Sequence, residues 1–149
     1  MKIWIDADAC PKTIKEHIFK TSGRQKVEVI LVANSQMWIP DSPYIRLIQV
    51  KEGDDVADFY IVEHLGENDI VITADIPLAD HVIKKGAIAI NPRGEIYTEE
   101  NISEKLSVRD FMQELRDSGV ETGGPAAFET KDKANFANSL NQLLTKKMK

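Results

Sequence analysis

The sequence predicts an α/β fold: a single-domain, three-layer sandwich around a central, mostly parallel sheet, with additional helices toward the C-terminus. Three observations carry that expectation. Short apolar runs recur at residues 2–6, 27–34, 44–50, 69–74 and 87–90. Amphipathic stretches of helical spacing separate most of them, the alternation expected of parallel strands joined by crossover helices. At 149 residues and 42% hydrophobic, the chain can bury one substantial core, and no repeat, low-complexity tract or linker divides it.

The elements follow in order. Residues 2–6 read as the first strand, running into Asp6. Pro11 suits the first position of a helix, whose stripe of Ile14, Ile18 and Phe19 reaches a stop at Gly23. VEVILVAN is the second strand, SQMWIPDSP a loop broken by Pro40 and Pro43, and YIRLIQV the third strand. A helix over roughly 54–65 carries Val56, Ala57, Tyr60, Ile61 and Leu65 on its apolar side. DIVITA, residues 69–74, has the composition of a central strand and ends in Asp75. Pro77 opens a helix that runs to Gly86, and AIAI is the next strand, leading into NPRGE. From Thr98 the pattern is helical. Ser107 and Asp110 have capping-box spacing ahead of Phe111, Met112 and Leu115. The loop SGVETGGPAAFE precedes a final helix, capped by Thr130, with Phe136, Leu140, Leu143 and Leu144 on one side.

The charge balance narrows the function classes. With 24 acids against 19 bases, net −5, the chain is not built chiefly to coat nucleic acid, whose non-specific affinity comes from phosphate neutralisation. Local basic grooves and cation-filled acidic sites both remain compatible with that balance. No apolar run approaches a membrane span, the N-terminus lacks the pattern of a secretory signal, and one cysteine suits a reducing compartment. A cytoplasmic location without membrane association is the expectation.

Chemistry concentrates in the acids. Ligands of open parallel sheets bind outside the carboxyl ends of the strands, and three predicted strand ends deliver carboxylates. Asp6 and Asp8 follow the first strand, Asp54, Asp55 and Asp58 follow the third, and Asp75 follows DIVITA, with Asp80 a turn later. In extended backbone residues two apart share a side, so Asp6 and Asp8 could reach one ion together. Asp55 and Asp58, three apart, can share a helical face. Oxygen donors without a Cys/His set point to a hard cation, Mg²⁺ or Mn²⁺. Singly, Asp8, Asp54 and Asp75 each read first as helix caps rather than ligands. Asp6 caps nothing, however, and Asp58 lies inside a helix. The candidate metal ligands are therefore Asp6, Asp8, Asp55, Asp58 and Asp75, with Asp6, Asp8, Asp58 and Asp75 as candidate catalytic groups.

Other polar residues carry weaker signals. Cys10 sits where a helix N-terminus would activate a thiol, but its acidic neighbours oppose that, so it reads as a small, half-buried residue. His17, His64 and His81 fall within helices in solvated or core-satisfied roles. Trp38 reads as a loop aromatic closing over the core, with base stacking as the alternative. Asn91 and Arg93 follow a strand end where a phosphate could be met. Thr122, Gly123 and Gly124, flanked by Arg109, Arg116, Lys131 and Lys133, could present backbone N–H groups to an anion.

Taken in order, the motifs DADACP, GDDVAD, ITADIPLA, NPRGE, RDF and TGGP resemble those of the YaiI/YqxD family of uncharacterised bacterial proteins across essentially the whole chain. The resemblance implies a PIN-like domain over residues 1–149. It also implies a parallel with PIN and NYN nucleases through Asp6, Asp55 or Asp58, and Asp75, although Asp stands where those nucleases commonly carry Glu. The expected function is divalent-metal-dependent phosphodiester hydrolysis, with RNA or another phosphate-containing substrate as partner. Two alternatives compete with it. One is a haloacid-dehalogenase-like phosphatase with Asp6 as nucleophile and Asp8 as general acid, which leaves Asp75 without a role and has Cys10 in place of the usual Thr. The other is a non-catalytic module that binds RNA or protein.

Overall fold

The structure, a computed structural model, describes residues 1–53, 55–121 and 127–147. Six strands form one sheet: β1 (Lys2–Asp6), β2 (Glu28–Ala33), β3 (Ile45–Gln49), β4 (Ile70–Ile72), β5 (Ile88–Ile90) and β6 (Ile96–Tyr97). Their spatial order is β3-β2-β1-β4-β5-β6. All neighbours are parallel except β5 and β6. Five helices surround the sheet: α1 (Lys12–Gln25), α2 (Val56–His64), α3 (Ile76–Lys84), α4 (Glu99–Asp117) and α5 (Thr130–Lys147).

The side-chain alternation of strands separates two cores. Ile3, Ile5, Val29 and Leu31 face one side, where they meet Ile14 and Ile18 of α1 and Phe136, Leu140 and Leu144 of α5. Trp4, Ile30, Val32 and Val71 face the other, against Ile61 of α2, Leu78 and Val82 of α3 and Ile102 of α4. Sheet strands buried on both faces read as continuous apolar runs, which is why β1, β2 and β4 stand out in the sequence. The fold is the predicted three-layer α/β arrangement.

Four helix boundaries, and the buried stripe of α4, differ from expectation for local reasons. Pro11 is the N-cap of α1, not its first residue, and the helix runs through Gly23 to end at Lys26 in the left-handed conformation. The capping box of α4 is Thr98 with Asn101, not Ser107 with Asp110. The Ser107 hydroxyl lies mid-helix and donates to the Ser103 carbonyl. The stripe expected from Phe111, Met112 and Leu115 is not core: Phe111 is 58% exposed, and Ile102 is the buried residue of α4. Thr130 is the first residue of α5 rather than a residue ahead of it.

The short antiparallel β6 escaped the sequence reading because two residues carry no periodicity. It forms because Asn91 accepts hydrogen bonds at Oδ1 from the backbone N–H groups of Arg93 and Glu95, closing a tight turn. Gly94 completes that turn at φ +91°, and a Cβ there would lie 2.5 Å from the backbone carbon of Asn135 in α5. The Ser139 hydroxyl donates to the Gly94 carbonyl, fastening the helix to the turn. Gly94→Ala is therefore expected to destabilise the protein by about 2–4 kcal/mol in urea unfolding. Gly23→Ala, at a helical glycine with open space around it, should stabilise by about 0.5–1 kcal/mol. Equal effects at the two positions would contradict the close approach of α5.

Candidate functional site

The strand order reverses between β1 and β4: the chain leaves β1 toward β2 and returns to pair β4 on its other side. Such a switch point opens a crevice at the carboxyl ends of the two strands. Ile5 pairs with Ile72, so the next residues, Asp6 and Thr73, leave the sheet side by side. The Thr73 hydroxyl, 2% exposed as a residue, donates to Asp6 Oδ2 at 3.0 Å. Its oxygen accepts from the backbone N–H of Asp75, also at 3.0 Å. Asp75 in turn caps α3, its Oδ1 accepting from the Leu78 N–H at 2.9 Å. One buried hydroxyl thus fixes Asp6 relative to Asp75.

Asp58 joins them from α2, whose first turn crosses the same edge of the sheet. Burial raises the pKa of its carboxyl to about 7, helped by the charges of Asp75, Asp6 and Asp55 and by a hydrogen bond from its protonated form to Asp75. Asp6 is raised as well, first by burial and then by the charges of Asp75 and Asp8, against the lowering effect of the Thr73 hydroxyl. The charges that raise these two carboxyls are neighbouring carboxylates: Asp75 and Asp8 for Asp6, and Asp75, Asp6 and Asp55 for Asp58. The ends of β1 and β4 and the first turn of α2 therefore bring Asp6, Asp75 and Asp58 into one mutual field, a costly arrangement for like charges.

The other sequence candidates occupy different positions. The chain turns into a short 3₁₀ helix, Ala7–Ala9, directly after Asp6, which removes the extended geometry that would have aimed Asp6 and Asp8 together. Asp8 instead accepts from the Asn34 N–H at 2.7 Å and the Ser35 hydroxyl at 3.4 Å, bracing the loop after β2. Asp55 is exposed, in a left-handed conformation at the N-cap of α2. Asp80 pairs with Lys84 one turn on. Asn91 is engaged in its turn. Arg93 binds the buried Asp132 at 2.9 Å and the Ala127 carbonyl at 3.4 Å, with its guanidinium 6.0 Å from the Phe128 ring. These contacts make it a tie to α5 and leave the strand-end phosphate contact without support. Asp54, Thr122, Gly123 and Gly124 lie outside the described residues. Burial pushes the Cys10 thiol up to about 12, consistent with a packing role.

Two residues near the cluster were not singled out as site residues. Thr73 is the first: its signal is the T-x-D spacing, legible only once Asp75 is known to follow a strand end beside Asp6. Tyr97 is the second, a buried phenol on β6 whose pKa burial raises, with a hydrogen bond to Asn91 lowering it and Asp75 within electrostatic reach. A cleft of about 230 Å³ adjoins the cluster, lined by Asp55, Asp58, Phe59, Val62, Leu78 and His81 among others.

The chemistry of the donor set suits a hard divalent cation: the side chains brought together are oxygen donors of like charge. Among the described residues, however, no three His, Cys, Asp or Glu side chains already stand in a ligating arrangement. The Asp58 proton takes up part of the role of countercharge. No helix among the described residues is long and apolar enough to cross a membrane.

A three-layer α/β fold with a carboxylate crevice at its switch point defines the class. The chain belongs to the YaiI/YqxD family: the profile described as "Uncharacterized BCR, YaiI/YqxD family" matches residues 4–146. Among its relatives, a UPF0178 protein of Shewanella sp. (strain MR-7) is 58% identical over 145 residues, 97% of this chain and 95% of the relative. One from Hydrogenovibrio crunogenus is 58% identical over 146 residues, 98% and 97% of the two chains. One from Maridesulfovibrio salexigens is 56% identical over 148 residues, 99% and 98% of the two chains. No solved structure matches the chain significantly.

The shared field has a measurable consequence. A carboxyl whose folded pKa lies above its unfolded value stabilises the fold below the unfolded pKa, and that contribution is lost as pH rises through the folded one. For Asp58 the window runs from about 4 to about 7. In metal-free buffer the melting temperature should therefore fall across this window, and Asp58→Asn should flatten the decline and melt higher than the parent above it. A parallel decline in both proteins would place the titration elsewhere.

Proposed function

We propose that this protein is a divalent-metal-dependent phosphodiesterase of ribonuclease type, acting at the crevice between β1 and β4. The observation that carries the reading is that Asp6, Asp58 and Asp75, from the ends of β1 and β4 and the first turn of α2, lie within one another's electrostatic reach, the charges that shift Asp6 and Asp58 all being carboxylates. Uncompensated carboxylates cost stability, and a bound cation turns that cost into affinity. The resemblance to PIN and NYN nucleases, which place acids in the same chain order, supports the same reading.

Asp6, Asp58 and Asp75 would hold Mg²⁺ or Mn²⁺, with Asp55 and Asp8 at the margin. When bound, such a cation supplies Lewis acidity that activates water and offsets charge growing on a phosphoryl group. The chain's own contribution is positional. The Thr73 hydroxyl orients Asp6, and the N–H of Leu78 orients Asp75, so two carboxylates are fixed before any ligand arrives. Asp58, whose carboxyl burial and neighbouring carboxylates raise to about 7, would have to be ionised to act as a ligand, which would tie metal affinity to pH. Asp8 is already spent on Asn34 and Ser35, which weakens its candidacy as the general acid of a phosphatase.

Mn²⁺ at millimolar concentration should raise the melting temperature, by an amount equivalent to about 2.7 kcal/mol at a hundredfold excess over Kd. The same metal should support hydrolysis of single-stranded RNA that a chelator abolishes. Asp6→Asn and Asp75→Asn should each melt higher than the parent without metal, since repulsion is relieved and Asn preserves the cap, and should lose the Mn²⁺ response. An unchanged melting temperature in Mn²⁺, with no hydrolysis, would leave the non-catalytic module as the better account. An acyl-phosphate trapped on Asp6 would favour the phosphatase.

A further inference from the structure

The acid crevice explains how a phosphate ester would be cleaved but not how a strand would be held. The loop 34–44 between β2 and β3 carries Trp38, whose side chain is out of the core and 76% exposed. This overturns the reading of Trp38 as a lid over the core. Its indole is held in place nonetheless. Phe19 of α1 meets the ring edge-on at 6.3 Å between centroids, and Phe19, Met37 and Ile39 pack against the first core. The indole is thus packed against Phe19 and otherwise largely open to solvent.

The surroundings of the indole say which ligand. Trp38, Phe19 and Met37 line a cleft of about 370 Å³ together with Lys12, Lys15 and Glu16. The Lys15 ammonium stands 3.8 Å from the Met37 sulfur, within the cleft. Two ammonium groups against the one carboxylate of Glu16 leave this cleft net positive, in a chain of net charge −5. A π-face for a base with ammonium groups for its phosphates is the minimal reader of single-stranded nucleic acid. A duplex hides its base faces and cannot use it.

The cleft also lies on the same edge of the sheet as the acid crevice. Loop 34–44 leaves the carboxyl end of β2, next to β1, and Lys12 opens α1 just after the turn that follows Asp6. Asp8 joins the two by holding Asn34 and Ser35, while its charge acts on Asp6. The Asp8 brace therefore fixes the loop carrying Trp38 relative to the crevice. We infer that Trp38, with Lys12 and Lys15, is a base-stacking subsite for single-stranded nucleic acid, placed to hold a nucleotide flanking the one presented to the crevice. The subsite rests on the phosphodiesterase reading only for what happens to the strand afterwards.

Binding can be tested without metal, so failure of the subsite and failure of the hydrolytic reading are distinguishable. The chain has two tryptophans. Trp4 is 2% exposed and donates to Asp69 at 3.0 Å, so a ligand-induced change in red-shifted emission reports on Trp38. In chelator-containing buffer, a short single-stranded oligouridylate should quench that emission. A fluorescently labelled copy of it should bind with an affinity that Trp38→Ala lowers about tenfold or more and Trp38→Phe largely preserves. Lys12→Gln and Lys15→Gln should each reduce the dependence of log affinity on log salt by roughly 0.7. Equal binding by Trp38→Ala, equal binding of a duplex, or saturation by a mononucleotide at the same concentration would overturn the inference. Concentration-dependent self-association abolished by Trp38→Ala would overturn it too, by assigning the face to a second copy of the chain.

Discussion

The site depends on one register. With Ile5 beside Ile72 in the centre of the sheet, Asp6 and Thr73 emerge together at the point where the strand order reverses, and Asp75 follows within two residues. A slip of one residue would turn every side chain of β4 to the opposite face, sending Val71 into the core that Ile70 and Ile72 now fill. The two apolar layers forbid that slip. Packing far from the crevice therefore decides the relative placement of its carboxylates, and the Thr73 hydroxyl only refines what the layers impose.

Given that placement, the energetics of the crevice are those of confined like charges. The free protein answers in two ways: a hydroxyl and a backbone N–H satisfy Asp6 and Asp75, and the Asp58 carboxyl is raised to about 7, so that it gives up its proton less readily. Asp75 shows that capping a helix and belonging to an acidic site are not competing explanations. One oxygen terminates α3 while the carboxylate as a whole contributes to the field around Asp58. A helix N-terminus lowers the cost of keeping that charge, so the cap helps the cluster to exist.

Much of this was legible in the sequence, and the reasons are local. The buried strands β1, β2 and β4 announce themselves because both faces are covered, and Asp6, Asp58 and Asp75 could be grouped because parallel strands must end on the same side. What could not be read depended on backbone turns or on distant partners. The 3₁₀ turn after Asp6 sends Asp8 to the β2 loop, and nothing in DADACP specifies it. Arg93 looked free for a phosphate because its partner, Asp132, lies 39 residues away. β6 needs the Asn91 turn and α5 behind it, and in α4 the buried residue is Ile102, near its start, with Leu106 half-buried one turn on. Trp38 defeated a rule of thumb, since loop aromatics usually fold inward and this one is propped outward by Phe19.

The placement of α5 has a consequence for how the molecule is made. Phe136, Leu140 and Leu144 complete the layer that covers Ile3, Ile5 and Ile14, so the first strand synthesised waits for the last helix. Until that helix leaves the ribosome, α1 alone covers that face of the central sheet, and the apolar remainder is a sticky surface in a crowded cell. The Arg93–Asp132 pair and the Ser139–Gly94 contact then act as latches that secure the late arrival. Premature termination ahead of α5 would leave an aggregation-prone remnant rather than a smaller working protein.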